Sequence, residues 1–218
     1  MHSHGAEKSI DLFAAATWSG YNANQFPRAD YPGLRPTGSW TLSPGGDLHG
    51  VDSTDAGWCD RETGERVDVS GRHLVLAYGS NPDPTKLLKR EEEQGFFGGE
   101  VVIALRAAVF GWAAGWCDAR RGFDRSVVAT LVQAPRRVEV HPVLALTPHQ
   151  REAMDRWEGH PNYYRRINFE GVVVLESGQR CEDVEVYLGT PGQRPPLVTG
   201  DGHLLCAEVG YSDVDQLV

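Results

Sequence analysis

The sequence predicts an α+β fold, either a compact α+β domain or a small barrel. Three observations lead there. Apolar, β-rich segments recur from Arg72 onward, two segments carry explicit helix start and stop signals, and residues 1–71 are dense in Gly, Pro and Asp. A stretch of the last kind builds no core of its own. The 218 residues, 40% of them hydrophobic, suit one sizeable domain plus an appendage and need no disulfide or metal staple.

The amino-terminal stretch, residues 1–71, has the pattern of one short helix over 11–22. Loops follow, with a hairpin around Trp40. Its scattered aromatics (Trp18, Tyr21, Phe26, Tyr31, Trp40, Trp58) mark it as packed onto the remainder. "GWCD" occurs at 57–60 and again at 115–118, too short a match to be a repeat.

From residue 72 to 218 the pattern sharpens into the core domain. A strand covers about 73–78, and Asp83 with Pro84 supplies an N-cap and an N1 proline for a helix over about 84–94. The segment 100–116 alternates in its second half and reads as strand, with helix as the competitor. Segments 126–133 and 138–147 are β-rich. Then Thr147, Pro148 and Gln150 form a capping box with proline at N1, and Gly159 ends that helix at C′. Strands return over 164–175 and 181–189 before a Pro/Gly-rich close.

Charge and motif content narrow the function classes. A formal charge of −9 leaves no basic face for nucleic acid or for an anionic membrane surface. Cys59, Cys117, Cys181 and Cys206 are far apart, without CxxC spacing or histidine companions, so no metal site is expected. All four read as free thiols, and Cys59 and Cys117, beside tryptophans, as packed rather than reactive. No GxxxxGK or GxGxxG signature is present, so the glycine pair in "FFGGEVV" reads as a turn, and no GxSxG nucleophile elbow exists. His2 and His4 read as part of a disordered terminus rather than a chelate. "KREEEQ" reads as a solvated helix face, and Trp112 and Trp116 as core or cavity wall. The start lacks a cationic leader followed by an apolar stretch, and no run is long enough to span a membrane. The expectation is a soluble cytoplasmic protein.

Two local features carry chemistry. In "LVLAYGSNPDP" a buried strand runs into Tyr78-Gly79-Ser80-Asn81 just before a helix start. Consecutive N–H groups in such a turn can converge on one anion, and Gly79 permits close approach. Many strand-to-helix turns look alike, so by itself the turn is weak evidence. In "MDRWEGHP", Glu158 sits on the last turn of its helix, where the negative end of the macrodipole disfavours an ionised carboxylate. Burial beside Trp157 would raise its pKa further, while Arg156, Arg165 and Arg166 would oppose this if they pointed inward. A carboxyl that both holds and releases a proton near neutral pH serves acid–base catalysis. The plain alternative is a solvated glutamate at a helix terminus.

The ordered pair changes the balance. "AYGSN" followed some 80 residues later by "MDRWEGHPNYYRR" resembles the γ-glutamylcyclotransferase family, over about residues 74–189. The resemblance implies a small mixed β-barrel with flanking helices whose mouth binds a γ-glutamyl group. It implies that Tyr78, Gly79, Ser80 and Asn81 hold the glutamyl α-carboxylate through backbone N–H groups. Glu158 would be the general acid/base, and Tyr164 and Tyr187 would line the pocket. The implied reaction is attack of the substrate's α-amine on its own γ-carbonyl, releasing 5-oxoproline and a free amine, with no cofactor. Pro82 and Asp83 depart from the family's usual apolar residue after YGSN, and Asn81 departs from the YGSL of the glutathione-degrading branch. The alternatives are an amidase or acyl-transfer step on a γ-glutamyl-tagged intermediate, and a non-catalytic binding module. Residues 1–71 have no counterpart in the minimal family domain; covering the mouth, forming a homodimer contact and narrowing the substrate range are all open to them.

Overall fold

The computed structural model describes residues 21–22, 31–33, 35–200 and 202–218. Its elements in chain order begin with strands β1 (Tyr21–Asn22), β2 (Ser39–Leu42), β3 (Asp47–Thr54), β4 (Gly57–Asp60) and β5 (His73–Leu76). Helix α1 (Pro84–Gln94) precedes two long strands, β6 (Val102–Arg120) and β7 (Val127–Leu146). Helix α2 (Pro148–Glu158) leads to β8 (Tyr164–Asn168), β9 (Val172–Leu175) and β10 (Glu185–Gly189). The short pair β11 (Val198–Thr199) and β12 (Gly202–His203) and a final turn of helix, α3 (Tyr211–Val214), complete the chain.

One ten-stranded sheet runs in the order β1-β3-β2-β6-β7-β5-β10-β8, with β4 paired to β3 and β9 to β6. The β10–β5 pair is parallel and the rest are antiparallel, so the sheet is mixed. Alternation along its central strands buries both faces. Val75, Val102, Ala104, Leu144 and Leu146 face Leu87, Phe96, Phe97, Ala153 and Met154 of the helical layer. Leu76, Ile103, Leu105, Val143 and Ala145 face a second core with Val51, Trp58 and Val186.

The helices form as their signals require. Asp83 Oδ1 accepts from the Thr85 N–H at 3.0 Å to cap α1. In α2 the capping box is complete, with Thr147 Oγ1 accepting from Gln150 N–H at 3.2 Å and Gln150 Oε1 accepting from Thr147 N–H at 3.0 Å. Gly159 ends α2 in the left-handed region at φ 61°.

Three expectations need correction. The stretch read as loops contributes β2, β3 and β4, and β2 is hydrogen-bonded to β6 through Trp40–Ala104 and its neighbours. The main sheet therefore crosses the expected boundary at 71/72. The hairpin around Trp40 is present as β2–β3; of the helix expected over 11–22, residues 11–20 lie outside the described residues and Tyr21–Asn22 are strand.

The barrel is the third. No ladder closes the sheet among the described residues. Instead β6 and β7 carry an irregularity where Gly111, at φ 76°, faces Ala134–Arg137. Extra residues on one strand bend a hairpin. Beyond that point the distal half of β7 reaches β10 and β8 through single bonds: Thr130 Oγ1 accepts from Gly189 N–H at 3.1 Å, and Tyr164 Oη donates to Ala129 O at 2.9 Å. The curl is barrel-like, held by side chains in place of a ladder.

Candidate active site

The curl encloses a cavity of about 390 Å³. Its wall combines the end of β5 and the following turn, the distal half of β7, the last turn of α2, and Tyr164 and Tyr187 from β8 and β10. All seven residues singled out from the sequence, Tyr78 to Asn81, Glu158, Tyr164 and Tyr187, line it.

β5 leaves its ladder once Ala77 N–H has donated to Pro142 O at 2.9 Å. Among the described residues, nothing accepts from the N–H groups of Gly79, Ser80 or Asn81. A turn of free donors at a cavity wall is an anion-binding arrangement. Asp83 N–H then donates to Ser80 O at 3.2 Å and Asp83 begins α1, so the turn is anchored at both ends.

Glu158 reaches the same cavity because Gly159 stops α2 directly after it, leaving the carboxyl on the final turn. Arg90 favours the ionised form of Glu158 most, and the Asn81 side chain favours it next. Asn81 Oδ1 in turn accepts from Arg90 Nη2 at 2.7 Å. Burial raises the Glu158 pKa, and this outweighs Arg90, Asn81, Arg121 and Arg194, which all favour the ionised form. The opposing arginines are thus not those expected. Arg166 is held by Asp155 and Glu185, Arg165 is exposed, and Arg156 is an exposed rim residue.

Arg90 was hidden inside "KREEEQ", the expected solvated face. It is 1% exposed, stacked 4.3 Å from the Trp157 ring centroid, and donates to Met154 Sδ at 3.3 Å. Desolvation lowers its pKa to about 10, still cationic at neutral pH. The signal was available, since residues 84, 87 and 90 follow helical spacing and Pro84 and Leu87 are buried with Arg90. Arg194, from the "TPGQRPP" loop, left no such signal. It is 6% exposed, lies over Tyr163 and Tyr164 and has no carboxylate partner among the described residues.

The tyrosines are less free than expected. Tyr187 Oη donates to Asp155 Oδ1 at 2.8 Å, Tyr164 Oη to Ala129 O, and Tyr78 Oη to Tyr187 O. Burial raises all three pKa values, so each keeps its proton and offers the cavity at most oxygen lone pairs. Tyr31, from the amino-terminal stretch, differs. Its Oη accepts from the Ala129 N–H at 2.8 Å, which leaves the hydroxyl proton available to another acceptor. A Cβ on Gly79 would press on that hydroxyl at 3.1 Å.

Trp112 and Trp116 are not among the cavity-wall residues. Trp116 is core and donates to Val209 O at 2.9 Å, while Trp112 packs against Phe169. Burial pushes the thiols of Cys117 and Cys181 up, to about 12 and about 11, as inert packed thiols require. Among the described residues no cluster of His, Cys, Asp and Glu could hold a metal ion. No helix there is long and apolar enough to cross a membrane.

The site so built belongs to an α+β protein that presents one protonatable carboxyl and a row of free amides to a cavity ringed by arginines. No family model matches the chain, and no curated protein matches it. Solved structures do. A γ-glutamyl cyclotransferase superposes with TM-score 0.42 and 19% identity over 54% of this chain and 66% of its own. Bacillus subtilis YkqA gives TM-score 0.44 and 15% identity over 74% of this chain and 60% of its own. A yeast γ-glutamyl cyclotransferase specific to glutathione gives TM-score 0.35 and 19% identity, over 55% and 69%. The chain spans just under two thirds of the first of these. At such values they assign no activity here, and the chemistry has to come from the cavity.

Proposed function

We propose that this chain is a γ-glutamyl cyclotransferase, converting a γ-glutamyl amide or peptide into 5-oxoproline and a free amine. The observation that carries the reading is the placement of Glu158 in one cavity with the free amides of Gly79, Ser80 and Asn81.

The substrate's α-carboxylate sits on the three amides, within the field of Arg90, Arg121 and Arg194. This fixes the α-amine beside Glu158. The ionised carboxylate takes a proton from the α-ammonium, and the freed amine attacks the γ-carbonyl to close a five-membered lactam. As the C–N bond to the leaving group breaks, Glu158 gives that proton to the departing nitrogen. It then takes the second proton, which the attacking nitrogen sheds on becoming the lactam N–H, and passes it to the freed amine, which leaves as an ammonium. Charge and protons balance without a co-reactant. Nucleophile and electrophile share one molecule. Holding the folded conformer therefore captures much of the advantage of intramolecular reactions, whose effective molarities reach about 10⁵–10⁸ M. A carboxyl with a raised pKa suits these proton transfers.

The test is incubation with a panel of γ-glutamyl amines, γ-glutamyl dipeptides and glutathione, with 5-oxoproline read by mass spectrometry. Product from at least one member is expected. Glu158→Gln should bind that substrate and lose about 10²–10⁴-fold in kcat, the usual worth of a general acid–base group. A wild-type protein that binds γ-glutamyl compounds and never releases 5-oxoproline would be a binding module instead.

A further inference from the structure

Tyr31 to Gly33 and Arg35 pack at the Tyr78–Asn81 turn; Tyr31 faces the cavity, while Arg35 is not among the cavity-wall residues. Gly33, at φ 90°, packs so tightly on Asp83 that a Cβ there would fall 2.1 Å from Asp83 Oδ2. Lys86 Nζ donates to Pro32 O at 3.1 Å. The docked segment delivers one guanidinium to the turn: Arg35 Nη2 donates to Tyr78 O at 2.7 Å and to Gly79 O at 2.9 Å.

A second set of contacts fixes that guanidinium. Arg35 Nη1 lies 3.2 Å from His141 Nδ1, and His141 Nε2 lies 2.8 Å from Glu139 Oε2. A guanidinium only donates, so His141 Nδ1 is the acceptor and its proton sits on Nε2, facing the carboxylate. Glu139 Oε2 also accepts from Ala114 N–H at 2.9 Å, which ties the row to β6. Glu139 and His141 alternate on β7 and share one face, as period two requires.

In a planar trans peptide the C=O and the following N–H point in opposite directions. A cation that holds the carbonyls of Tyr78 and Gly79 on one side therefore turns the N–H groups of Gly79 and Ser80 to the other side, where the cavity lies. We propose that Arg35, held by His141 and Glu139, is a positioning residue that sets the amide cradle from behind. The proposal rests on the reading of that turn as a carboxylate site. It also gives residues before the core domain a role in the site: they orient its anion-binding backbone.

The test uses the full chain with Arg35→Ala, Arg35→Lys and Glu139→Gln, alongside wild type. L-glutamate is titrated while the Gly79 and Ser80 amides are followed by ¹⁵N NMR, and kinetics are measured with whichever γ-glutamyl substrate turns over. Wild type should show glutamate-dependent shifts at both amides, and Arg35→Ala should lose them. Its KM should rise by about tenfold or more, with kcat and the acid limb of the pH profile little changed. Added methylguanidine should restore KM in Arg35→Ala, and Lys, which cannot bridge two carbonyls and a histidine, should rescue poorly. Glu139→Gln should move KM in the same direction by less, and it covers the case in which Arg35→Ala does not fold. Wild-type KM and wild-type amide shifts in the variants would overturn the proposal. Amide shifts without turnover in wild type would overturn the cyclotransferase reading alone. No shifts in wild type would overturn both.

Discussion

Glu158 stands between opposed influences, and its behaviour with pH follows from their balance. Burial wins, so its folded-state pKa lies above the ordinary glutamate range. If the ionised form starts the reaction, kcat/KM should fall on acidification through that raised value. A pH–rate profile whose acid limb lies at the ordinary value would contradict this. Arg90 favours the ionised form of Glu158 more than any other group does. Arg90→Met should therefore shift the limb to higher pH, besides freeing Asn81 from its 2.7 Å bond. The same raised pKa has a stability consequence. Between the unfolded and folded pKa values the folded state binds more protons, so stability falls as pH rises through that window. Glu158→Gln should melt at a higher temperature than wild type at neutral pH, and the gap should close on acidification; a variant that melts lower at neutral pH would refute the balance. Glu158 was legible because a motif pointed to it. Arg90 is legible only by helical position, because three glutamates follow it and the run taken as charge alone reads as solvated.

Helix α2 is the element that aims the acid, and both of its ends are specified by single residues. Thr147→Ala removes half of the capping box and should cost about 1 kcal/mol in chemical denaturation. Gly159→Ala should cost about 1–2 kcal/mol for the left-handed backbone. Its new Cβ would also meet Tyr163 Cδ2 at 2.7 Å, so loss of activity beyond the loss of stability is expected. Both helices were readable in advance, since caps and prolines act within four residues. The sequence predicts β7 as two pieces, 126–133 and 138–147. Pro135-Arg136-Arg137 interrupts the apolar pattern of β7, and the sequence cannot tell a bulge in one 20-residue strand from a gap between two. The β2–β3 hairpin is legible around Trp40, but β4 and the pairing of β2 with β6 are not, because Trp40, Leu42, Leu48 and Val51 are buried against partners far along the chain.

Across the whole molecule, closure of the cavity depends on how near the distal hairpin comes to β10. Gly189 marks the closest approach. A Cβ there would lie 2.6 Å from Arg194 O and 2.7 Å from Thr130 Oγ1, so Gly189→Ala forces the two halves apart. The variant should keep the helical layer, bind substrate more weakly and show faster hydrogen exchange at Thr130 and Gly189; unchanged exchange would mean that the curl does not depend on this contact. Such long-range fit has no local trace. Tyr31, Arg35 and Arg194 share that property, each acting on residues at least 30 positions away.

Ala129 is paired with Trp116 of β6 at a position where its own N–H and C=O point away from that strand. Both groups are held by phenols, one from Tyr31 and one from Tyr164, residues 133 positions apart. Ordinary ladder bonds do not protect this one residue. Its amide proton can swap with solvent deuterium only when the Tyr31 phenol lets go. The lifetime of that single proton would thus clock how often the amino-terminal segment lifts from the chamber wall, before any substrate is added.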